Sequence, residues 1–216
     1  MATILVVRDT SGMTEPTAPA PASTPAPAAP VVGALANPHL QRDLAAQNGY
    51  VAAAPAEGVI SMLVCRPSRD QRTVVESVVL DPEEGMVGDD WRARGSWATT
   101  GMPANIDAQI TIMSTRVLES FEADRSRWPL AGDQIYADMD LSIATLPVGT
   151  QLRIGGTLVE VTPLPHTGCS KFAARFGHDA HKWVWSEDGK ALRMRGMYVK
   201  VLEGGEIRLG DAIRRA

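Results

Sequence analysis

Apolar residues fall along this chain in short runs punctuated by glycine, proline and asparagine, and most of the runs have strand length rather than helix length. Residues 58–66 and 73–80 are rich in valine and isoleucine, and the break over 67–71 between them predicts a hairpin connection. A second hairpin is expected between 151–154 and 157–162 across Gly155-Gly156, and a third between 196–202 and 206–209 across Gly204-Gly205, because a two-residue turn ending in glycine is a strong hairpin signal. Helical patterning is sparse. Asn37 as N-cap, Pro38 at the first helical position and Asn48-Gly49 as a stop predict a short helix over 37–49. Ser114 is placed to cap a helix carrying Val117, Leu118 and Phe121 that Pro129 stops, and 171–176 reads as a short helix ended by Gly177. The balance predicts a mainly β fold with a few short helices. Several hairpins at short spacing point to a closed or nearly closed barrel, since closure removes exposed strand edges.

Composition divides the chain before any chemistry is considered. Residues 14–30 are almost entirely proline, alanine, threonine and serine, which favours extended polyproline-like conformers and offers too little apolar surface to order the segment. The expected layout is therefore a disordered extension over 1–36, a short helix and connector over 37–56, and one folded unit over 57–213. A length of 216 residues with 44% hydrophobic content suits one core rather than two. A formal net charge of -4 creates no global field that would draw in nucleic acid or an anionic membrane. The apolar run at 1–7 lacks a basic region before it and is interrupted by Arg8-Asp9, and no stretch approaches the roughly 18 apolar residues that span a bilayer. With only Cys65 and Cys169, and no CxxC pair, the chain carries no disulfide framework. A cytoplasmic, reducing location is the expectation.

The candidate chemistry gathers around Cys169, in the stretch Pro165-His166-Thr167-Gly168-Cys169-Ser170-Lys171-Phe172 ahead of the short predicted helix. A thiol there faces unpaired helix N–H groups, and Lys171 and Arg175 add positive charge, which favours the thiolate. That makes Cys169 a candidate nucleophile or soft-metal ligand, against the bland alternative of a small residue filling a turn. Cys65 lies inside an apolar strand and reads as core. His166, Cys169, His178 and His181 have spacings a zinc ion could use, although loop histidines are more often solvated. The run 84–90 offers two glycines for a tight loop with Asp89 at its end, and Arg66, Arg69, Arg193 and Arg195 flank strand ends, where guanidinium forks could hold a phosphate or a pterin, against the alternative of surface solvation, which is preferred for Arg69.

Four pieces in order carry a family resemblance: 59–68 with Val75-Glu76-Ser77-Val78; Gly85-Met86-Val87-Gly88-Asp89; the run from Leu146-Pro147-Val148-Gly149-Thr150 to Gly155; and Cys169 followed by 195–211. Over roughly 57–213 the chain resembles the MOSC domains, the module found at the C-terminus of molybdenum cofactor sulfurases. The resemblance implies a MOSC-type β-barrel and a cysteine, matching Cys169, that ligates molybdenum in the pterin cofactor or carries sulfur as a persulfide. Many members place a histidine after the Gly-Asp loop, where this chain has Trp91. The expectation is a small oxidoreductase that binds molybdenum cofactor (Mo-pterin) and reduces N-hydroxylated compounds. In it Cys169 is the catalytic residue and Mo ligand, and Arg66, Asp89, Lys171 and Arg195 bind the cofactor. A small-molecule substrate and an electron-donor or sulfur-donor protein are the expected partners. The alternatives are a sulfur carrier using a Cys169 persulfide and a non-enzymatic binding module.

Overall fold

A computed structural model of the protein describes residues 43–95 and 102–216. The extension expected over 1–36, and the Asn37-Pro38 start of the first predicted helix, lie outside the described residues.

Among the described residues eleven strands run in chain order: β1 Gly58–Cys65, β2 Thr73–Val75, β3 Ser77–Asp81, β4 Gly85–Met86, β5 Ile110–Ser114, β6 Ile135–Ala137, β7 Gln151–Ile154, β8 Thr157–Val161, β9 Met197–Glu203, β10 Gly205–Arg208 and β11 Ala212–Arg215. Seven of them close a barrel in the order β1-β11-β7-β8-β9-β5-β6 and back to β1. The length of β1 makes this possible. Its first residues pair with β11 (Gly58 opposite Ile213), its last with β2 (Leu63 opposite Val75), and its other edge with β6. All barrel pairings are antiparallel except β5 with β6, which are joined by a helical crossover. Strands β10, β3 and β4 form a separate three-stranded sheet. The expected mainly β, barrel-forming fold is what the structure shows.

Two apolar cores meet across the barrel wall. Ile60, Leu63, Ile110, Ile112, Ile135 and Ala137 point inward, whereas Met62, Val64, Met113 and Tyr136 point outward under a layer of helices. Strict alternation would send Ile60 and Met62 to the same face. A bulge in the β1–β6 register between these two residues resets the phase. After α1 Asn48–Ala52 and α2 Trp91–Arg94, the covering helices are α3 Thr115–Phe121, α4 Ser170–Phe176 and α5 His178–Val184. Phe121 meets Phe172, Phe176 and Trp183 edge-on, at centroid separations of 5.9, 5.3 and 6.4 Å.

Four sequence expectations are corrected. Asn48-Gly49 does not end the first helix, because Asn48–Ala52 is itself helical and follows a 3₁₀ turn at Ala45–Gln47. Asn48 instead serves tertiary structure: its Oδ1 accepts from Trp183 Nε1 at 2.8 Å, and Val51 is buried. The run 73–80 is two strands, broken at Glu76 where the chain leaves the barrel for the second sheet. The third hairpin does not form. Neither Gly204 nor Gly205 has the positive φ a tight hairpin turn requires, and β10 pairs with β3 rather than β9. Finally, Pro129 lies inside a 3₁₀ segment, Arg125–Ala131, and α3 stops earlier, where Glu122 turns extended to accept from Asp124 N–H and from Arg127.

Candidate functional site

The end of β1 carries Arg66 into a buried position, where its Nε and Nη2 donate to Asp89 at 2.8 and 3.0 Å and its Nη1 donates to the Gly132 carbonyl at 3.0 Å. Asp89 is held in turn by the glycine loop after β4. Gly88 takes a φ of 88°, open to glycine at little cost, and the Asp89 carboxylate also accepts from the Arg66 and Trp91 amides. The two residues therefore form a fully engaged internal brace between two loops at one end of the barrel. Removing one member of such a buried pair generally costs about 3–5 kcal/mol, because the other charge is left uncompensated.

Gly132 leads into Asp133, whose side chain is wholly buried. The Asp133 amide donates to the hydroxyl of the buried Tyr136, which donates onward to the Trp128 carbonyl, so the loop before β6 is pinned to the outer core. Arg195, at the start of the β9 segment, donates from Nη1 to Asp133 Oδ2 at 2.7 Å and from Nη2 to the Ala131 carbonyl, and its guanidinium lies 5.0 Å above the Phe172 ring. The remaining Asp133 oxygen, Oδ1, stands 3.4 Å from His166 Nδ1. Neither of those two buried atoms makes a hydrogen bond, to the other or to any other described group. Gly196 makes the approach possible: a Cβ there would lie 2.6 Å from the Ile112 carbonyl and 3.2 Å from His166 Nδ1. The other face of the cluster is Tyr198, whose ring centroid is 4.4 Å from that of His166. Burial pushes the Asp133 carboxyl up while Arg195 pulls against it, and burial, with Arg195 and Arg66 nearby, holds the His166 imidazole well below its ordinary value.

Cys169 is exposed and occupies the N-cap position of α4, as its place in the sequence suggested, with no side-chain capping bond. Lys171, two residues on, donates to Asp70 at 2.7 Å, and Arg175 reaches the same carboxylate at 3.0 Å. Asp70 lies in the loop between β1 and β2 at a φ of 63°. Arg72 closes this group, half-buried, with its Nε unpartnered. The N-terminal turn of α4 thus stands between Arg195, through Phe172, and the cations of the β1–β2 loop. Cys65 differs in every respect: it packs against the barrel core, and burial pushes its thiol up to about 11. The zinc-like spacing of His166, Cys169, His178 and His181 is not realised as a cluster. Among the described residues no group of three or more metal-ligating side chains comes together. Asp133, Tyr198, Arg72 and Asp70 carry no local sequence signal, since each matters only through a partner on a distant segment.

Beside the cluster is a cavity of about 350 Å³ with mainly apolar walls, including Val148, Pro163, Trp185 and Met197, and with His166 and Arg195 in its lining. Trp185 ties it to the cysteine segment, because its indole N–H donates to the carbonyl of Gly168 at 3.4 Å. Among the described residues no helix is long and apolar enough to cross a membrane.

Comparison with known folds places this geometry. The chain is similar to the crystal structure of the YuaD protein from Bacillus subtilis, with a TM-score of 0.51 at 13% identity over 73% of this chain and 94% of that one. It is similar also to YiiM from Geobacillus stearothermophilus, with a TM-score of 0.51 at 19% identity over 74% of this chain and 75% of that one. No curated protein matches the chain at significant sequence similarity. The MOSC domain family model matches residues 100–214, a span that takes in α3 to α5, the cavity, Cys169 and the Asp133–Arg195 pair. A barrel of this topology, matched by that model over more than half its length, belongs to the MOSC domain family.

Proposed function

We propose that the protein is a small oxidoreductase that binds molybdenum cofactor and reduces N-hydroxylated compounds, with Cys169 as the protein ligand to molybdenum. The family as a whole is associated with that cofactor. The observation that carries the reading for this chain is the exposed, uncommitted thiol of Cys169 at the edge of a cation-rich barrel end, since a thiolate is a soft donor suited to a thiophilic metal. The residues present suit the group. Lys171 is partly exposed and held only by the solvent-exposed Asp70, so its ammonium can turn to an anionic cofactor group. Arg195 keeps a buried Nε without a partner, and Arg72 does the same. Arg66 and Asp89 have their hydrogen bonds occupied by each other, so in this reading they serve the cofactor by bracing the loops that face it. When bound, the molybdenum pterin supplies oxygen-atom transfer. Reduction of an N–OH group to N–H consumes two electrons and two protons and releases water, so a separate electron-donor protein is required.

The test is metal and pterin analysis together with intact mass, on protein made in a host that synthesises molybdenum cofactor, comparing wild type with Cys169→Ala. Near-stoichiometric molybdenum in the wild type, lost in the variant, is the expected result. Metal-free protein carrying one extra sulfur atom on Cys169 would overturn it in favour of a sulfur carrier, for which the same exposed thiol is suited.

A further inference from the structure

The cavity beside the Asp133–Arg195 pair is lined by three cations, Lys190, Arg193 and Arg195, and by no carboxylate. The three are answered unequally. Arg195 has the buried Asp133 at 2.7 Å. Lys190 has Glu187 at 3.2 Å, but that carboxylate is 95% exposed, so water and salt screen the pair and it holds the ammonium weakly. Arg193 has no acidic partner among the described residues. Its Nη1 donates to the carbonyls of Leu141 and Leu146, and burial pulls the guanidinium below its ordinary value with no carboxylate acting against it.

The backbone holds this arginine at a cost. Arg193 follows the helix α6 Glu187–Ala191 at a φ of 46°, the left-handed region in which a helix end ordinarily takes glycine. A guanidinium kept there, half-buried, always protonated and without a countercharge, is suited to an incoming anion. Its surroundings select the kind. Arg193 Nη1 lies 3.8 Å from Met197 Sδ, and Lys190 Nζ lies 5.6 Å from the centre of the Trp185 ring, so both cations stand against apolar walls. Ile143, Val148 and Pro163 extend those walls around a volume of about 350 Å³. An ion pair strengthens in such low-dielectric surroundings, and apolar surface buried beside it adds to binding. A dianionic phosphate surrenders more hydration than these walls replace, whereas a carboxylate on an apolar body matches both parts of the lining.

We infer that this cavity binds a monocarboxylate with an apolar body, its carboxylate on Arg193 and Lys190 and its body against Trp185, Val148 and Met197. Neither of the two cations is among the residues given to the cofactor above, and the binding requires no metal. The inference therefore goes beyond the proposed function, and Cys169→Ala protein, which tests that function, should bind the carboxylate as the wild type does.

The experiment uses benzoate and benzamide as probes, which share an apolar ring and differ in charge, with inorganic phosphate as the bare anion. Binding to the full chain at low ionic strength is measured by calorimetry and located by shifts of the Trp185 and Met197 resonances. Benzoate should bind about tenfold more tightly than benzamide, the effect of about 1.4 kcal/mol from a hydrogen bond to a charged group, and more tightly than phosphate. Arg193→Gln should bind benzoate and benzamide alike. Because that variant also releases the Leu141 and Leu146 carbonyls, Lys190→Met gives a second reading at an exposed side chain. There the preference for benzoate should fall about threefold with the thermal transition unchanged. Equal binding of benzoate and benzamide by the wild type, binding of neither, tighter binding of phosphate, shifts that leave out Trp185 and Met197, or an undiminished preference in both variants would each overturn the inference.

Discussion

At the scale of single residues, the two cysteines show how much environment outweighs identity. The thiolate is the reactive form of the side chain, and burial against the barrel core pushes the Cys65 thiol up to about 11, so it stays neutral at and well above physiological pH. Cys169 is exposed at the mouth of α4. Brief treatment of native protein with iodoacetamide near neutral pH should therefore add one label, on Cys169. A second label on Cys65 should appear only as the pH is raised towards 11 or once the protein is unfolded, and peptide mass mapping distinguishes the cases. Early labelling of Cys65 would show that its burial is breached in solution. The distinction between a core cysteine and an exposed one was legible from the flanking residues alone: an apolar β-branched run around Cys65, and glycine, serine and lysine around Cys169. The Asp133–His166 contact was not legible. Its members lie on separate strand-flanking loops, and neither residue type predicts the other.

Among the elements, α3 links the barrel to its helical cover. Phe121 is almost wholly buried and touches rings from both α4 and α5. Phe121→Ala should remove about 3–5 kcal/mol of stability, the usual effect of opening an aromatic-sized cavity in a core. Denaturant unfolding measures the loss. Because α4 carries Phe172 and Phe176 against Phe121, the same variant should also leave the α4 amides less protected from hydrogen exchange than those of β7 and β8. Uniform loss of protection would mean that the helices and barrel unfold only together. Element type was legible wherever local chemistry decides it, as in the β7–β8 hairpin with Gly155 at a φ of 52°, and in α4 with Gly177 at its end. It failed at 196–209, where a glycine pair resembles a tight turn but connects strands in different sheets.

For the molecule as a whole, the decisive contact is the closure of β11 on β1, a short ladder in which Gly58 opposes Ile213 and Val59 opposes Ala212. Ile213 is fully buried in the inner core, so closure also seals one side of the barrel. A chain ending at Gly210 should expose the edges of β1 and β7 and lose its single cooperative thermal transition, as seen by calorimetry. Retention of a sharp transition at the original temperature would show that the remaining six barrel strands stand without closure. Taken by itself, the sequence determined the strand-rich character, the shared hairpins, the family resemblance and the placing of Cys169 before a helix, because periodicity, turn chemistry and ordered motifs act over neighbouring residues. Only the tertiary structure decided which strands close the barrel, where β3 and β10 leave it, and how Arg66 pairs with Asp89 and Arg195 with Asp133 beside His166. Those outcomes depend on burial and on charge pairing across segments tens of residues apart, and such energies exist only once the chain has brought the segments together.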